Sequence, residues 1–78
     1  MTPHFPAVTA KELERALKKL GFEIDHITGS HVAYRRASDS KRVVVPRHAG
    51  KAIKRKVLST ILKTLDLSPD EFRGYLQA

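Results

Sequence analysis

The fold is decided by the stretch FEIDHITGSHVAYRRASDSKRVVVP, residues 22–46. It contains three short runs rich in β-branched and aromatic residues, at 22–27, 31–36 and 42–45. The polar stretches between these runs are short enough to join neighbouring strands as hairpins. Pro46 ends the third run because it cannot donate a ladder hydrogen bond. The stretch therefore predicts three antiparallel strands in sequence order.

The register of the first hairpin decides which side chains meet the core. With three turn residues, Thr28-Gly29-Ser30, Ile27 is expected opposite His31. The apolar face that meets the helices then carries Phe22, Ile24, Val32 and Tyr34, with His26 near its edge. His31 then points to the open face, and a one-residue slip would reverse this arrangement.

Helices are predicted on both sides of the strands. Thr9 and Glu12 form a capping box before an apolar stripe at helical spacing, and Gly21 ends that helix. A second helix is expected from about Lys54 to Leu65. A third, short helix begins at Ser68, where Glu71 closes another capping box. The predicted fold class is α+β, with helices on one face of a three-stranded sheet.

The composition limits the class of protein. The chain has 78 residues, which indicates one domain, expected at 9–78 after a loose arm at 1–8. No cysteine is present, which excludes disulfides, thiolate zinc sites and cysteine nucleophiles. No apolar run approaches the roughly 18–20 residues of a membrane span, and the N-terminus lacks a signal pattern. A cytoplasmic protein without a membrane partner is expected.

Positive charge is concentrated in the middle of the chain. The net charge is +7, and residues 31–63 contain ten Lys and Arg but one acid, Asp39. Such a concentration favours a polyanionic partner such as nucleic acid. A solvated basic surface on a small protein is the competing interpretation.

Cations also cluster where the second helix is predicted to begin, at Lys51, Lys54, Arg55 and Lys56. The helix dipole is already positive there, so each cation is expected to cost about a few tenths of a kcal/mol. Free backbone N–H groups and cations together favour a phosphate site. The alternative is that these side chains are simply solvated on an exposed first turn.

His31 is the candidate proton-transfer group, because it leaves a hairpin turn on the open face and has little role in a core. Histidine exchanges a proton near neutral pH, and surrounding cations favour its neutral, basic form. RNA cleavage needs a base, an acid and cations that stabilise the charged phosphorane. An incidental surface histidine is the competing interpretation, since one histidine is a weak motif.

Other candidate residues are less decisive. His48 is either a second proton carrier or phosphate donor, or a loop residue that bonds the backbone. Asp25 either orients the His31 ring or is a solvated strand residue, and Tyr34 is expected in the core rather than stacked on a base. The histidines lack the close pairing and carboxylate partner of a metal site, so no metal or cofactor is expected.

Several short motifs carry a family resemblance when taken together. They are Leu20-Gly21-Phe22, Gly29-Ser30-His31 followed by Tyr34, Val43-Val44-Val45-Pro46 with His48, Leu58-x-x-Ile61-Leu62, and Leu67-Ser68-Pro69-Asp70-Glu71-Phe72. From about Thr9 to Leu76 the chain resembles the HicA (YcfA-like) toxins of bacterial and archaeal toxin–antitoxin pairs.

The resemblance implies a fold like the double-stranded-RNA-binding domain and a metal-independent ribonuclease that cleaves messenger RNA. It places the catalytic histidine at His31 and implies a HicB-type antitoxin partner that covers the active face. Two positions depart from the family pattern. Thr28 stands where the family often has Lys, with Arg35 as a candidate replacement, and Lys56-Val57 replace a Gly-Thr step.

Hypotheses of different classes follow. The first is an endoribonuclease toxin with His31 as general base or acid and with RNA-binding residues at Ser30, Arg35, Arg47, His48, Lys51, Lys54, Arg55 and Lys56. The second is a non-catalytic double-stranded-RNA-binding module, with salt-dependent binding and no turnover. A third is an antitoxin-bound or regulatory relic of the toxin that no longer cuts.

Overall fold

The computed structural model describes residues 7–48 and 51–77 of the chain. The elements in chain order are α1 (Ala10–Lys19), β1 (Glu23–Thr28), β2 (His31–Arg35), β3 (Arg42–Pro46), α2 (Arg55–Leu65) and α3 (Pro69–Gln77). The strands form one antiparallel sheet in the order β1-β2-β3. The predicted α+β fold, with a helix before the strands and two after them, is confirmed.

The ends of α1 are set by the predicted local signals. The Thr9 hydroxyl accepts from the Glu12 backbone N–H at 3.3 Å, and the Glu12 carboxylate accepts from the Thr9 N–H at 3.0 Å. At the other end, Gly21 has φ 92°, and the Phe22 N–H donates to the Leu17 carbonyl at 2.9 Å. This Schellman-type ending turns the chain directly into β1.

The two later helices begin differently. Ser68 and Glu71 make the predicted capping box before α3, with bonds of 3.0 and 3.1 Å. Helix α2 begins at Arg55, one residue later than expected, with Lys54 as its N-cap. Lys54 provides no side-chain cap, and the first turn of α2 contains no acidic residue.

The predicted register holds at one end of the first hairpin and is wrong at the other. Glu23 pairs with Arg35 as expected, but His31 pairs with Thr28 rather than with Ile27. A bulge at Asp25 absorbs the difference of one residue, so the turn needs only Gly29 and Ser30.

Because of the bulge, His26 also lies elsewhere than predicted. This residue pairs with Ala33 rather than lying on the apolar face, and its side chain is 58% exposed. Ile24 pairs with Tyr34 as expected, but it is 44% exposed rather than buried on the apolar face, and all the other residues of β1 are exposed as well.

The helices pack against the face of the sheet that carries Val32, Tyr34, Val43 and Val45, which are all buried. Val8 belongs to this core as well, at 1% exposed, although it was expected in the loose arm. The backbone explains its position, because the Ile53 N–H donates to the Val8 carbonyl at 2.6 Å. Residues 1–6 of the predicted arm lie outside the described residues.

Candidate functional site

His31 is the first residue of β2 and follows directly on the two-residue turn. Side chains alternate along a strand, so His31 lies on the open face while Val32 is buried beneath the sheet. Gly29 has φ 56°, a left-handed conformation that favours glycine in such a tight turn. The His31 ring is exposed, and within the described residues it has no hydrogen-bond or ionic partner.

A cavity of about 360 Å³ brings His31 together with residues distant in sequence. Its polar lining includes His48, Lys51 and Lys54 beside His31. Its apolar lining is Val44, Pro46, Ala52, Ile53 and Val57. We call it the His31 cavity. It brings two histidines and two lysines to the lining of one space, which suits an anionic ligand that exchanges protons.

Backbone hydrogen bonds hold the segment after β3 against the first hairpin. The Arg47 N–H donates to the Ser30 carbonyl at 2.6 Å, which ties the residue before His48 to the residue before His31. The Lys51 N–H donates to the His48 carbonyl at 3.0 Å. An isolated bridge between Thr9 and Ala52 anchors the far end of the segment beside α1. The two histidines therefore line one cavity because of main-chain contacts.

A buried carboxylate supports the same segment from below. Glu14 on α1 accepts two hydrogen bonds from the Arg47 guanidinium, from Nε at 2.8 Å and from Nη2 at 2.6 Å. The Tyr34 hydroxyl donates to Glu14 Oε1. The Arg47 bonds are the main cause that lowers the pKa of Glu14, and burial, followed by the Glu14 bond, raises the pKa of Tyr34 to about 12.

The Glu14–Arg47 pair changes the interpretation of Arg47, which was expected to bind phosphate. Its side chain is 45% exposed, but its charge is balanced by a carboxylate of its own chain. Sequence reasoning missed Glu14 because its partner lies 33 residues away and no local pattern connects them. The expectation that Tyr34 belongs to the core is confirmed.

The other predicted contacts lie outside the His31 cavity. Arg35 shares the open face with His31 but lies four residues along β2, about 13 Å away, and donates to the Ser40 hydroxyl at 3.2 Å. Arg55 and Lys56 are exposed on the first turn of α2. Ser30 contributes its backbone carbonyl to Arg47.

Asp25 does not orient the His31 ring. Its Oδ2 lies 3.1 Å from His26 Nδ1 and accepts from Arg42 Nη2 at 3.0 Å, across the central strand. The bulge at Asp25 gives the side chain these partners.

Metal-ligand clusters and membrane-spanning helices are both absent from residues 7–48 and 51–77. No group of three or more His, Asp or Glu side chains in these ranges is arranged to hold a metal ion. No helix within them is long and apolar enough to cross a membrane.

Comparison with known protein families gives a match over most of the chain. Residues 10–67, most of the 78-residue chain, match the family model described as HicA toxin of bacterial toxin–antitoxin. A comparison with curated proteins found no match. The matched range includes α1, the whole sheet, the His31 cavity and α2.

Proposed function

Since this chain belongs to the HicA toxin family of bacterial toxin–antitoxin systems, we propose that it is an endoribonuclease that cleaves messenger RNA. His31 is its catalytic proton-transfer group, and no metal ion takes part. The observation that carries the proposal is the His31 cavity, where an exposed histidine without a partner in the described residues meets His48, Lys51 and Lys54.

The chemistry follows from what RNA contains. The 2′-oxygen of the ribose attacks the adjacent phosphorus, the bond to the 5′-oxygen breaks, and a 2′,3′-cyclic phosphate and a 5′-hydroxyl remain. One group takes the proton of the 2′-hydroxyl, and another gives a proton to the 5′-oxygen. His31 performs one of these transfers, and His48, on the same cavity, is placed to perform the other.

The phosphorane formed on this path carries additional negative charge, which nearby cations stabilise. Lys51 and Lys54 line the cavity and make no ion pair with another described residue. Arg47, Arg42 and Arg36 are instead paired with carboxylates of the chain. Among the residues that line the His31 cavity, the two lysines are therefore the cations available to the substrate phosphate.

The test is cleavage of a long single-stranded RNA in EDTA by the native chain and by two histidine variants. We expect His31→Ala to lower the rate by at least about a hundredfold, the usual contribution of a general acid or base. His26→Ala is the matched control, because His26 is also exposed on the sheet but lies outside the cavity. It should cut at the native rate.

Equal rates for the native chain and His31→Ala would remove His31 from the reaction. Activity that disappears in EDTA and returns with a divalent cation would overturn the metal-independent reaction. The products separate this chemistry from hydrolysis by an external nucleophile, because transfer to the 2′-oxygen leaves a cyclic phosphate.

Two further parts of the proposal concern the surroundings of the toxin. Its cognate antitoxin is of the HicB type and covers the open face, where His31 and the cavity lysines are exposed. The toxin acts in the cytoplasm, where messenger RNA is found.

A non-catalytic double-stranded-RNA-binding module is the second candidate. The start of α2 favours it, because Lys54, Arg55 and Lys56 surround backbone N–H groups that have no side-chain cap. Such a module binds duplex RNA with a steep salt dependence and leaves it intact. Tight duplex binding without cleavage in any buffer would support it over the ribonuclease.

A further inference from the structure

A second cavity lies along α1, with a volume of about 830 Å³. We call it the α1 groove. Four cationic side chains line it, Lys11, Arg15, Lys18 and Arg47, together with the carboxylate of Glu14 and the ring of His48. Neither the family match nor the proposed reaction assigns a role to this groove.

Three of these cations form one row on α1. Lys11, Arg15 and Lys18 are spaced by four and three residues, so they lie on one face of the helix over about 10 Å. All three are exposed, and none makes a hydrogen bond or an ion pair with another described residue. Lys19, one residue further along, instead donates to the Tyr75 carbonyl at 3.1 Å.

The single carboxylate in the groove does not cancel this row. Glu14 is held by two hydrogen bonds from Arg47, so that pair is close to neutral as a unit. Lys11, Arg15 and Lys18 therefore remain as a net positive lining. An anionic ligand with several charges in a row fits such a lining best.

The α1 groove adjoins the His31 cavity at His48. His48 lines both, and the Thr9–Ala52 bridge holds the start of α1 beside the segment that carries Lys51. A flexible polyanion bound at His31 can pass His48 and continue along α1.

We propose that the α1 groove binds the sugar-phosphate backbone of nucleotides that flank the cleaved bond in single-stranded RNA. This inference rests on the proposed ribonuclease function and extends it, because it assigns an RNA-binding track outside the reacting centre. A short RNA fills the His31 cavity alone, and a longer RNA gains affinity from Lys11, Arg15 and Lys18.

The test compares two triple variants that lose the same charge. One is Lys11→Gln/Arg15→Gln/Lys18→Gln, and the control is Lys41→Gln/Lys63→Gln/Arg73→Gln, whose positions line neither cavity. Gln keeps a helix propensity close to that of Lys and Arg, and circular dichroism checks the fold. Probes of about four and about sixteen nucleotides span the usual site sizes of single-strand-binding domains.

Binding is measured by fluorescence anisotropy on a His31→Ala background, so that the RNA stays intact. The groove variant should bind the long RNA about tenfold more weakly than the control, with the short RNA unaffected. The steepness of its log affinity against log salt concentration should fall by about 2, because each of the three lost phosphate contacts on a single strand contributes about 0.7. In the active protein, cleavage of the short RNA should be the same for both variants.

Three results would contradict the proposal that the α1 groove binds the RNA backbone. One is equal weakening of long and short RNA by the groove variant. Another is equal weakening of the long RNA by both variants, which indicates general charge attraction. The third is unchanged RNA binding with lost antitoxin binding, which assigns the groove to the protein partner. A native chain that binds long RNA through the groove but never cleaves it would contradict the ribonuclease and leave the track supported.

Discussion

Glu14 is the one buried charged residue in the described part of the chain, at 7% exposed. A buried carboxylate is costly unless it is paired and hydrogen-bonded, and Glu14 has both Arg47 and Tyr34. Those bonds connect α1, the central strand and the residue before His48. The carboxylate therefore contributes to the fold and to the position of the segment that lines the His31 cavity.

We expect Glu14→Gln to lower the free energy of unfolding by roughly 1–3 kcal/mol, because the Arg47 and Tyr34 donors lose a charged acceptor. Denaturant unfolding near neutral pH measures the change. Glu23→Gln is the control, since Glu23 is exposed on the edge strand and forms no ion pair with another described residue. An equal loss in the two variants would contradict the structural role of Glu14.

The stability difference between the native chain and Glu14→Gln should depend on pH. The folded state lowers the pKa of Glu14 from its ordinary value of 4.5, so its stabilisation is fully present above about that pH. It is lost as the pH falls through the lower pKa of the folded state. The difference in unfolding free energy between the native chain and Glu14→Gln should therefore shrink below pH 4.5, and a constant difference down to acid unfolding would refute this.

Helix α2 differs from α1 and α3 at its start. Thr9 and Ser68 cap their helices with side-chain oxygens, whereas Lys54 has no cap hydrogen bond. Lys54 also lines the His31 cavity, so a residue that caps poorly occupies a position where a cation suits an anionic substrate. Local departures from helix rules are expected at functional sites.

Replacing Lys54 should separate stability from activity. Lys54→Asp supplies a capping carboxylate and should stabilise the chain by about 1 kcal/mol, or raise Tm by about 4–8 °C. Lys54→Ala supplies no cap and should not stabilise. Both variants should cleave RNA more slowly, because both remove the cavity cation. Equal melting temperatures for the two variants would show that the missing cap has no energetic consequence.

At the scale of the whole molecule, the residues before α1 contact the residues before α2. Val8 is buried, its carbonyl accepts from the Ile53 N–H, and Thr9 bridges Ala52 beside it. The start of α1 and the start of α2 therefore lie side by side. This closure gives the His31 cavity its wall of residues 51–54 and places the α1 groove next to it.

Val8→Ala should lower the free energy of unfolding by roughly 2 kcal/mol, because it removes buried methyl groups from a site that is 1% exposed. Val44→Ala is the matched control, since Val44 is 51% exposed on the open face and should change stability by less than about 0.5 kcal/mol. Denaturant midpoints of both variants provide the comparison. If Val8→Ala lowered the free energy of unfolding by no more than Val44→Ala does, Val8 would not be part of the stabilising core.

Sequence reasoning succeeded where the cause is local. The Thr9 and Ser68 capping boxes, the glycine ending of α1 and the three strands each depend on residues within a few positions of one another. It failed at Asp25, because nothing in the strand pattern indicates a bulge there. The single extra residue places His26 on another face of the sheet than predicted. It also failed at Val8, whose burial depends on a backbone partner 45 residues later.

For the candidate site, the sequence by itself determined the chemistry that is available: an exposed histidine after a tight turn, a second histidine in a basic segment, and a helix start rich in cations. Only the tertiary structure decided which of these groups meet. In the folded chain His31 lines one cavity with His48, Lys51 and Lys54, and Arg47 pairs with Glu14. Lys11, Arg15 and Lys18 line the α1 groove. The physical reason is that capping, turns and strand propensity act between near neighbours in the chain, whereas pairing of charges and closure of cavities depend on contacts that exist only after the chain has folded.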